Sequence, residues 1–373
     1  MSKERPLLDP MVDLTETAEK HRPRKLLLKI TGAIALGACL SSAANINHNY
    51  EVAASNTATV DFRGEALDEA NNHTAIVFID GFGTNDADSL VRSVGAPIQE
   101  VADGQLWSIN YGNAPLDGGA ITEEIIEMAA DRNVDTLYFA GYSAGGNIAL
   151  ATYESVLENS NLQVPLFIPI SMSDGLEGLQ PNKRNEGTQF AEIISTIPWL
   201  AYYDPVRFVG EMNNRQNQFT HKDNPIETVA AFTDAAVDVY DHMNSDQAPG
   251  TWLLFDQWLA IENAHPEERI TKIGQDKSQP KPVFAYFGTG KPGSDYMVDD
   301  DLSGENICNY AENVDITCLK YDVPGAIHTR HDLTVEEYAE TFREAKDDIR
   351  AALDKAHSDF YNTRDWLTPS QPQ

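Results

Sequence analysis

The sequence Gly-Tyr-Ser-Ala-Gly-Gly occupies positions 141–146, directly after the apolar run Thr136–Ala140 and directly before the helical pattern Asn147–Leu157. A serine between two such glycines is typical of a nucleophile elbow, a sharp turn from a strand into a helix. Small residues are needed there because the neighbouring backbone crowds the turn. The first N–H groups of the helix also point at any anion that forms beside the serine. The stretch therefore predicts that Ser143 is a nucleophile at the edge of a sheet.

The rest of the chain supplies the sheet that such an elbow needs. Four runs are apolar on both faces, with helical patterns between them: Thr74–Ile79, Leu106–Tyr111, Thr136–Ala140 and Val164–Ile170. This alternation is typical of parallel strands covered by helices. From about 175 to about 279 the pattern is helical and aromatic, and strand-like runs then resume at Pro282–Phe287 and Ile316–Tyr321, before a long amphipathic helix from Val335. We predict one α/β domain with a helical insertion.

This elbow, set in alternating strands and helices, resembles the α/β-hydrolase superfamily, and in particular its esterase- and lipase-like serine hydrolases, over about residues 57–357. The resemblance implies the α/β-hydrolase fold, in which a mostly parallel sheet is flanked by helices and a helical cap is inserted before the last two strands. It also implies acyl transfer without a cofactor, and the chain order nucleophile, acid, histidine. Ser143 takes the place of the nucleophile.

The tripeptide Gly81-Phe82-Gly83 follows the predicted strand Thr74–Ile79 and matches the loop that contributes to the oxyanion hole in such hydrolases. Two preorganised N–H groups are needed where the tetrahedral oxygen forms. Here the donors would be the backbone N–H groups of Phe82 and Ala144. The sequence departs from the family just before the first glycine, where the common histidine is replaced by Asp80.

The resemblance places the general base just after the last strand, where residues 322–328 read Asp-Val-Pro-Gly-Ala-Ile-His. His328 is the candidate, because it alone among the nine histidines has a Pro-Gly-Ala lead-in for a loop that folds back over the elbow. His331, in the same loop region, is the alternative. An imidazole suits the role because its pKa lies near neutrality.

The same family geometry places the acid of the triad after the strand Pro282–Phe287. Asp295 is the candidate, and Asp174, which follows the strand Val164–Ile170, is the alternative acid. The neighbouring acids at Asp299–Asp301 are interpreted as a solvated turn. Their spacing lacks the alternating ligands of an EF-hand, so we predict no metal.

The balance of charge limits the partners. The chain of 373 residues has 58 Asp and Glu against 27 Lys and Arg, which gives a formal net charge of −31. Such a field repels phosphate backbones and argues against a nucleic-acid partner. The predicted partner is a small ester or acyl substrate, and the oligomeric state is left open.

The N-terminal region has the pattern of a targeting segment. Basic residues at 21–25 precede an apolar segment, 26–45, which carries no charge from Ile30 to Ala44. A membrane span needs about 20 apolar residues, whereas the apolar part of a signal peptide needs only about 7–15. We predict an export signal or a signal-anchor that attaches the protein to a membrane. Residues 36–39 resemble a lipobox in which Cys39 would be lipidated; cleavage near Ser42–Ala44 and retention of the segment are the alternatives.

Export also accounts for the other two cysteines. Cys308 and Cys318 are separated by 10 positions, and in an oxidising compartment such a pair favours a disulfide over two free thiols. The predicted location is extracytoplasmic. The protein is either membrane-anchored, by the signal-anchor or as a lipoprotein at Cys39, or secreted.

The predicted organisation runs as follows: a leader with a basic flank at 1–25, the signal or anchor at 26–45, the hydrolase core at 57–175, the helical cap at 176–280, the second part of the core at 281–360 and a tail at 361–373. The predicted function is an exported serine hydrolase that cleaves carboxylic esters by a Ser-His-Asp acyl-enzyme mechanism. A thioesterase, an amidase or a peptidase would use the same triad. The alternative from another class is a catalytically silent hydrolase fold that acts as a surface-binding protein.

Overall fold

The computed structural model describes residues 43–214, 225–243, 249–290, 295–328 and 331–364. Its strands form one sheet in the order β1-β3-β2-β4-β5-β6-β7. β1 runs antiparallel to β3, and the other neighbouring strands are parallel. The strands are β1 (Thr59–Gly64), β2 (Thr74–Ile79), β3 (Gln105–Asn110), β4 (Thr136–Tyr142), β5 (Gln163–Ile170), β6 (Val283–Thr289) and β7 (Thr317–Val323).

Helices connect these strands and cover both faces of the sheet. A π-helical turn, Val91–Gly95, joins the second helix to the third. The helices are α1 (Ala43–Ser55), α2 (Asp88–Leu90), α3 (Ala96–Val101), α4 (Gly118–Arg132), α5 (Ala144–Asn159), α6 (Pro181–Thr196), α7 (Asp204–Asn214), α8 (Pro225–Met243), α9 (Thr251–Glu262), α10 (Pro266–Gln275), α11 (Asp300–Glu312) and α12 (Val335–Arg364).

The central strands are apolar on both faces because both faces are covered. All 6 residues of β2 and all 7 of β6 are buried. On one face, Phe78 and Phe287 belong to a core that includes Ile98 of α3 and Phe342 of α12. The opposite face is packed by aromatic rings, among them Tyr153 of α5, which stacks on a β4 ring. Burial on both faces explains why these strands read as continuous apolar runs.

The predicted helical insertion before the last two strands is confirmed, since α6 to α10 lie between β5 and β6. The described residues fall into two compact units. The larger unit comprises 51–198 and the described residues from 249 onward, and it contains the whole sheet. The smaller unit comprises 43–50, 199–214 and 225–243, and its helices α7 and α8 bury Met212, Ala235 and Val239 against one another.

The predicted leader at 1–25 and Cys39 lie outside the described residues, as does the predicted signal or anchor segment up to residue 42. Residues 43–45 form the first turn of α1. Among the described residues, no helix combines the length and the apolar character needed to cross a membrane.

A disulfide joins Cys308 to Cys318, the pairing predicted from the sequence. Cys308 lies in α11 and Cys318 lies in β7. The bond therefore ties a helix to the edge strand of the sheet, and β7 leads directly into the loop that carries His328.

Candidate active site

Ser143 lies at the junction of β4 and α5, in a backbone conformation that L-residues rarely adopt, with φ 53° and ψ −126°. Its own N–H donates to the Ile170 carbonyl oxygen at 2.8 Å, and its carbonyl oxygen accepts from the Gly146 N–H at 2.9 Å. Non-glycine residues in such conformations are strained and persist only where the surroundings hold them. The geometry is that of the predicted elbow.

The glycines around Ser143 are required by close packing. A Cβ on Gly141 would come within 2.6 Å of the Gly146 Cα, and a Cβ on Gly146 would come within 2.6 Å of the Met172 Cβ. A Cβ on Gly145 would overlap the carbonyl oxygens of Ile79 and Asp80, at the end of β2. Helix α5 can therefore approach the sheet this closely only with hydrogen in place of a side chain.

The structure brings Ser143, His328 and Asp295 together as a chain of hydrogen bonds. His328 Nε2 lies 2.7 Å from Ser143 Oγ. On the other side of the ring, His328 Nδ1 lies 2.5 Å from Asp295 Oδ2. His328 and Asp295 are both buried, and the His328 carbonyl oxygen accepts a hydrogen bond from the Tyr142 hydroxyl. The serine hydroxyl therefore faces an imidazole whose opposite nitrogen is held by a carboxylate.

Asp295 is surrounded by donors. Its Oδ1 accepts the backbone N–H groups of Met297 at 2.7 Å and Val298 at 3.1 Å. Its Oδ2 accepts from His328 and from the Thr289 hydroxyl, the latter at 2.7 Å. Burial would raise the pKa of Asp295, but the hydrogen bond and charge of His328, together with these other donors, lower its pKa to about 2. The carboxylate is therefore ionised at neutral pH.

The electrostatics of His328 follow from the same contacts. Burial by itself would lower the pKa of His328, because a buried imidazolium loses its hydration. The hydrogen bond and the negative charge of Asp295 outweigh burial, so the pKa of His328 is raised above its ordinary value. A raised pKa makes the ring a stronger acceptor for the proton of the Ser143 hydroxyl.

The two alternatives left open by the sequence lie elsewhere. Asp174 Oδ2 accepts hydrogen bonds from Asn306 Nδ2 at 2.7 Å and from the Tyr310 hydroxyl at 3.1 Å. His331 Nδ1 lies 3.0 Å from Ser93 Oγ, and its Nε2 lies 3.7 Å from Asp80 Oδ2. Neither residue joins the hydrogen-bonded chain that contains Ser143.

The glycine-rich loop after β2 lies directly against the elbow. A Cβ on Gly81 would meet the Tyr142 carbonyl oxygen at 2.7 Å and the Ala144 nitrogen at 3.3 Å. Phe82 is exposed. Within the described residues, the backbone N–H groups of Phe82 and Ala144 donate to no protein acceptor. They lie in the loop after β2 and at the start of α5, where the sequence predicts the two oxyanion donors.

Two side chains to which the sequence assigned no role hold this loop. Asp80, which stands where the resemblance leads one to expect a histidine, accepts the Gly81 N–H with its Oδ1 at 2.7 Å. The buried Gln257 of α9 accepts the Gly83 N–H at 3.0 Å and donates to the Thr84 carbonyl oxygen at 2.8 Å. A glutamine in the insertion carries no sequence signal for this contact, because it lies 174 positions from Gly83.

The acids at 299–301 have separate contacts, and the predicted solvated turn is only partly found. Asp299 caps α11 by accepting the Leu302 N–H at 3.2 Å. Asp301 Oδ1 lies 3.6 Å from Lys320 Nζ. Asp300 instead faces inward. Three side chains of kinds that can bind a metal ion, Asp295, Asp300 and His328, place their potential ligand atoms within 4.8 Å of one another. Within the described residues, no other group of three or more His, Cys, Asp or Glu side chains does so. Hydrogen bonds engage these groups, and we assign no metal to them.

No family model matches the chain, and no curated protein is similar to it in sequence. Among solved structures, a homoserine O-acetyltransferase from Bacillus anthracis covers 77% of this chain and 98% of its own, with 10% identity and a TM-score of 0.51. A carboxylesterase from the thaumarchaeon Nitrososphaera gargenis covers 81% and 97%, with 12% identity and a TM-score of 0.48. An esterase from Exiguobacterium antarcticum covers 78% and 95%, with 14% identity and a TM-score of 0.48.

The chain has the α/β-hydrolase fold, as the elbow and the strand pattern predicted. At identities this low, the structural similarity establishes the architecture only, and the substrate has to be argued from the site.

Proposed function

We propose that this protein is a serine hydrolase that cleaves carboxylic esters through an acyl-enzyme. The observation that carries the proposal is the continuous hydrogen-bonded chain from Ser143 through His328 to Asp295, with Ser143 held on a strained elbow. A nucleophile, a base within hydrogen-bond reach and a third group that orients the base are the parts that nucleophilic acyl transfer needs.

The proposed reaction uses each part in turn. Ser143 Oγ attacks the ester carbonyl carbon while His328 Nε2 takes the hydroxyl proton, and Asp295 stabilises the imidazolium that forms. The backbone N–H groups of Phe82 and Ala144 would bind the tetrahedral oxyanion. His328 returns its proton to the departing alkoxide, which leaves as the alcohol. Water then attacks the acyl-serine in the same way and releases the acid.

The charge states of the site support these roles. Asp295, whose pKa is lowered to about 2, remains a carboxylate throughout the physiological range. The pKa of His328 is raised by that carboxylate, although burial opposes the shift. The base must be neutral to accept the serine proton, so the rate is expected to fall as the pH drops through the raised pKa of His328.

The same parts would serve a thioester, an amide or a peptide, because the triad determines acyl transfer and not the leaving group. An ester is the first choice because the elbow and the loop after β2 resemble those of esterase- and lipase-like hydrolases. The remaining rival is a silent hydrolase fold that only binds. The strained backbone of Ser143 speaks against this rival, because strain of this kind is usually kept for function.

Labelling with a fluorophosphonate probe tests the proposal most directly. The wild-type protein should form a covalent adduct at Ser143, and Ser143→Ala should form none. Ser358→Ala, on the exposed surface of α12, is the matched control and should label like the wild type. A wild-type protein that neither labels nor hydrolyses short p-nitrophenyl esters would support the binding-protein rival instead.

We also propose that the protein is exported and held at a membrane by its N-terminal segment or by a lipid on Cys39. The basic residues at 21–25 before an uncharged run support this location, since positive flanks stay on the cytoplasmic side. The disulfide between Cys308 and Cys318 also supports it, because such bonds persist in oxidising compartments. Alkylation of protein taken from its native compartment should find these two thiols protected until a reductant is added.

A further inference from the structure

A second carboxyl group lies behind the Ser143–His328–Asp295 chain. Asp300, the first residue of α11, shares hydrogen bonds with groups of β6 through both carboxyl oxygens. Its Oδ1 lies 2.8 Å from the Tyr286 hydroxyl. Its Oδ2 accepts the Thr289 backbone N–H at 2.8 Å and lies 2.5 Å from Thr289 Oγ1.

The hydroxyls of Tyr286 and Thr289 each face two oxygens. Tyr286 Oη lies 2.9 Å from the Met172 carbonyl oxygen as well as 2.8 Å from Asp300 Oδ1. Thr289 Oγ1 lies 2.7 Å from Asp295 Oδ2 as well as 2.5 Å from Asp300 Oδ2. Carbonyl and carboxylate oxygens donate no proton, so four oxygen–oxygen contacts share only two hydroxyl protons. A further proton on a carboxyl group is needed to make a third contact a hydrogen bond.

Asp295 is not the group that carries this proton. Donors from His328, Thr289, Met297 and Val298 occupy its two oxygens, which is the full capacity of a carboxylate. Two carboxylates that share one hydroxyl also repel each other, which favours a proton on one of them. Asp300 has a hydroxyl beside each of its oxygens, and either hydroxyl can accept the proton.

We propose that Asp300 is a positioning residue that exchanges a proton over the same pH range as His328: in its neutral form it holds Thr289 against Asp295, and in its ionised form it adds a second negative charge beside His328. The inference rests on the proposed serine-hydrolase function. It assigns a role to a residue that contacts neither Ser143 nor the substrate and acts only through Thr289 and through its charge.

The surroundings bring the titration of Asp300 into this range. Burial raises the pKa of Asp300 to about 6. His328 opposes this rise, and the charge of Asp295 adds to it. Among the described residues, the titratable and charged groups that face this carboxyl or lie beside it are Tyr286 of β6, Asp295, His328, Tyr338 of α12, and on its own helix Asp301, which pairs with Lys320 of β7.

Asp300 and His328 must then titrate as a coupled pair. When Asp300 loses its proton, the new negative charge stabilises the His328 imidazolium, and the ring becomes neutral only at a higher pH. The pH at which the enzyme gains activity therefore depends on both groups. Removing the charge of Asp300 should let His328 become neutral at a lower pH.

Asp300→Asn tests this coupling because an amide can reproduce the hydrogen bonds of the neutral acid. Its oxygen can accept the Thr289 N–H while its nitrogen donates to Tyr286, which then donates to Met172. We expect the acidic limb of the kcat/KM profile to move to lower pH by about one unit, and the plateau to fall by no more than about tenfold. Asp301→Asn removes the same charge from the next residue and should leave the limb in place.

Two results would overturn the proposal. One is an Asp300→Asn profile whose acidic limb coincides with that of the wild type, since a purely structural contact would change the plateau and not the limb. The other comes from the wild type alone, with ¹⁵N-labelled histidines and the His328 signal assigned through His328→Gln. The proposal requires His328 to titrate in two steps, and a single step would refute it.

The histidine titration also covers the case in which Asp300→Asn fails to fold, which a comparison of melting temperatures would reveal. It needs no substrate, so it separates the two proposals. A protein that hydrolyses no ester but shows the two-step titration would refute the proposed function and leave the coupled titration of Asp300 and His328 standing.

Discussion

Replacing Asp295 with asparagine should trap His328 in the wrong tautomer. Because Asp295 Oδ1 accepts two backbone N–H groups, at Met297 and Val298, the amide oxygen of Asn must take this position. The amide nitrogen then takes the position of Oδ2, which faces His328 Nδ1. Two N–H groups cannot face each other there, so the histidine proton moves to Nε2. A protonated Nε2 cannot accept the proton of Ser143.

The size of the effect follows from the cost of restoring the active tautomer. One charge-assisted hydrogen bond is lost, at roughly 1.5–3 kcal/mol, and two buried donors are left unsatisfied, at roughly 1–3 kcal/mol each. The same substitution in the serine-protease triad lowers kcat by about 10⁴, which corresponds to roughly 5.5 kcal/mol. We expect a loss of about this size in kcat for a short p-nitrophenyl ester, and little change in KM.

Asp174→Asn is the matched control, because it makes the same chemical change at the other acid that the sequence offered. Asp174 binds Asn306 and Tyr310, so its replacement should change kcat by less than about threefold. Melting temperatures should show that both variants are folded. If Asp174→Asn lost the larger part of its activity, or if Asp295→Asn kept a tenth of the wild-type rate, the tautomer argument would be refuted.

Four further outcomes are expected. Gly145→Ala should lower the melting temperature or prevent folding, because its Cβ would overlap two carbonyl oxygens at the end of β2. Gly118→Ala is the control and should be tolerated, because a Cβ at Gly118 has open space around it. Equal stability of the two variants would contradict this prediction. Gln257→Leu leaves the Gly83 N–H without its acceptor and should lower kcat severalfold, while the fluorophosphonate probe should still label Ser143 fully after a long incubation. An unchanged kcat would show that the loop needs no such support. Reduction of the Cys308–Cys318 bond should destabilise the protein by roughly 2–3 kcal/mol in urea unfolding, and unchanged midpoints with and without reductant would exclude this. Because the pKa of His328 is raised, half-maximal kcat/KM should lie above pH 6.5, and a midpoint below that value would contradict the cited contacts.

Local features of the chain were readable from the sequence because their causes are local. The glycines at 141, 145 and 146 are needed within one turn of Ser143, so a short pattern identifies the elbow. The central strands are buried on both faces and therefore appear as unbroken apolar runs. The helical insertion is visible because the alternation of strand and helix stops and later resumes.

Only the tertiary structure decided which of several equivalent residues meet at the elbow. Asp174 and Asp295 both follow parallel strands, and His328 and His331 share one loop region, so sequence patterns cannot rank them by contact. The hydrogen bonds that bring Asp295 to His328 and His328 to Ser143 span 33 and 185 positions. Contacts of that kind depend on strand order and loop path.

The hydrogen bonds that support the site could not be predicted from the sequence either. Asp300 stands in a run of three acids that suggests a solvated turn, yet its carboxyl faces inward onto Tyr286 and Thr289 because α11 begins directly over the end of β6. Gln257 reaches the loop after β2 from the helical insertion. Hydrogen bonds between distant polar side chains leave no periodic trace in a sequence, because each depends on where the backbone places two single atoms.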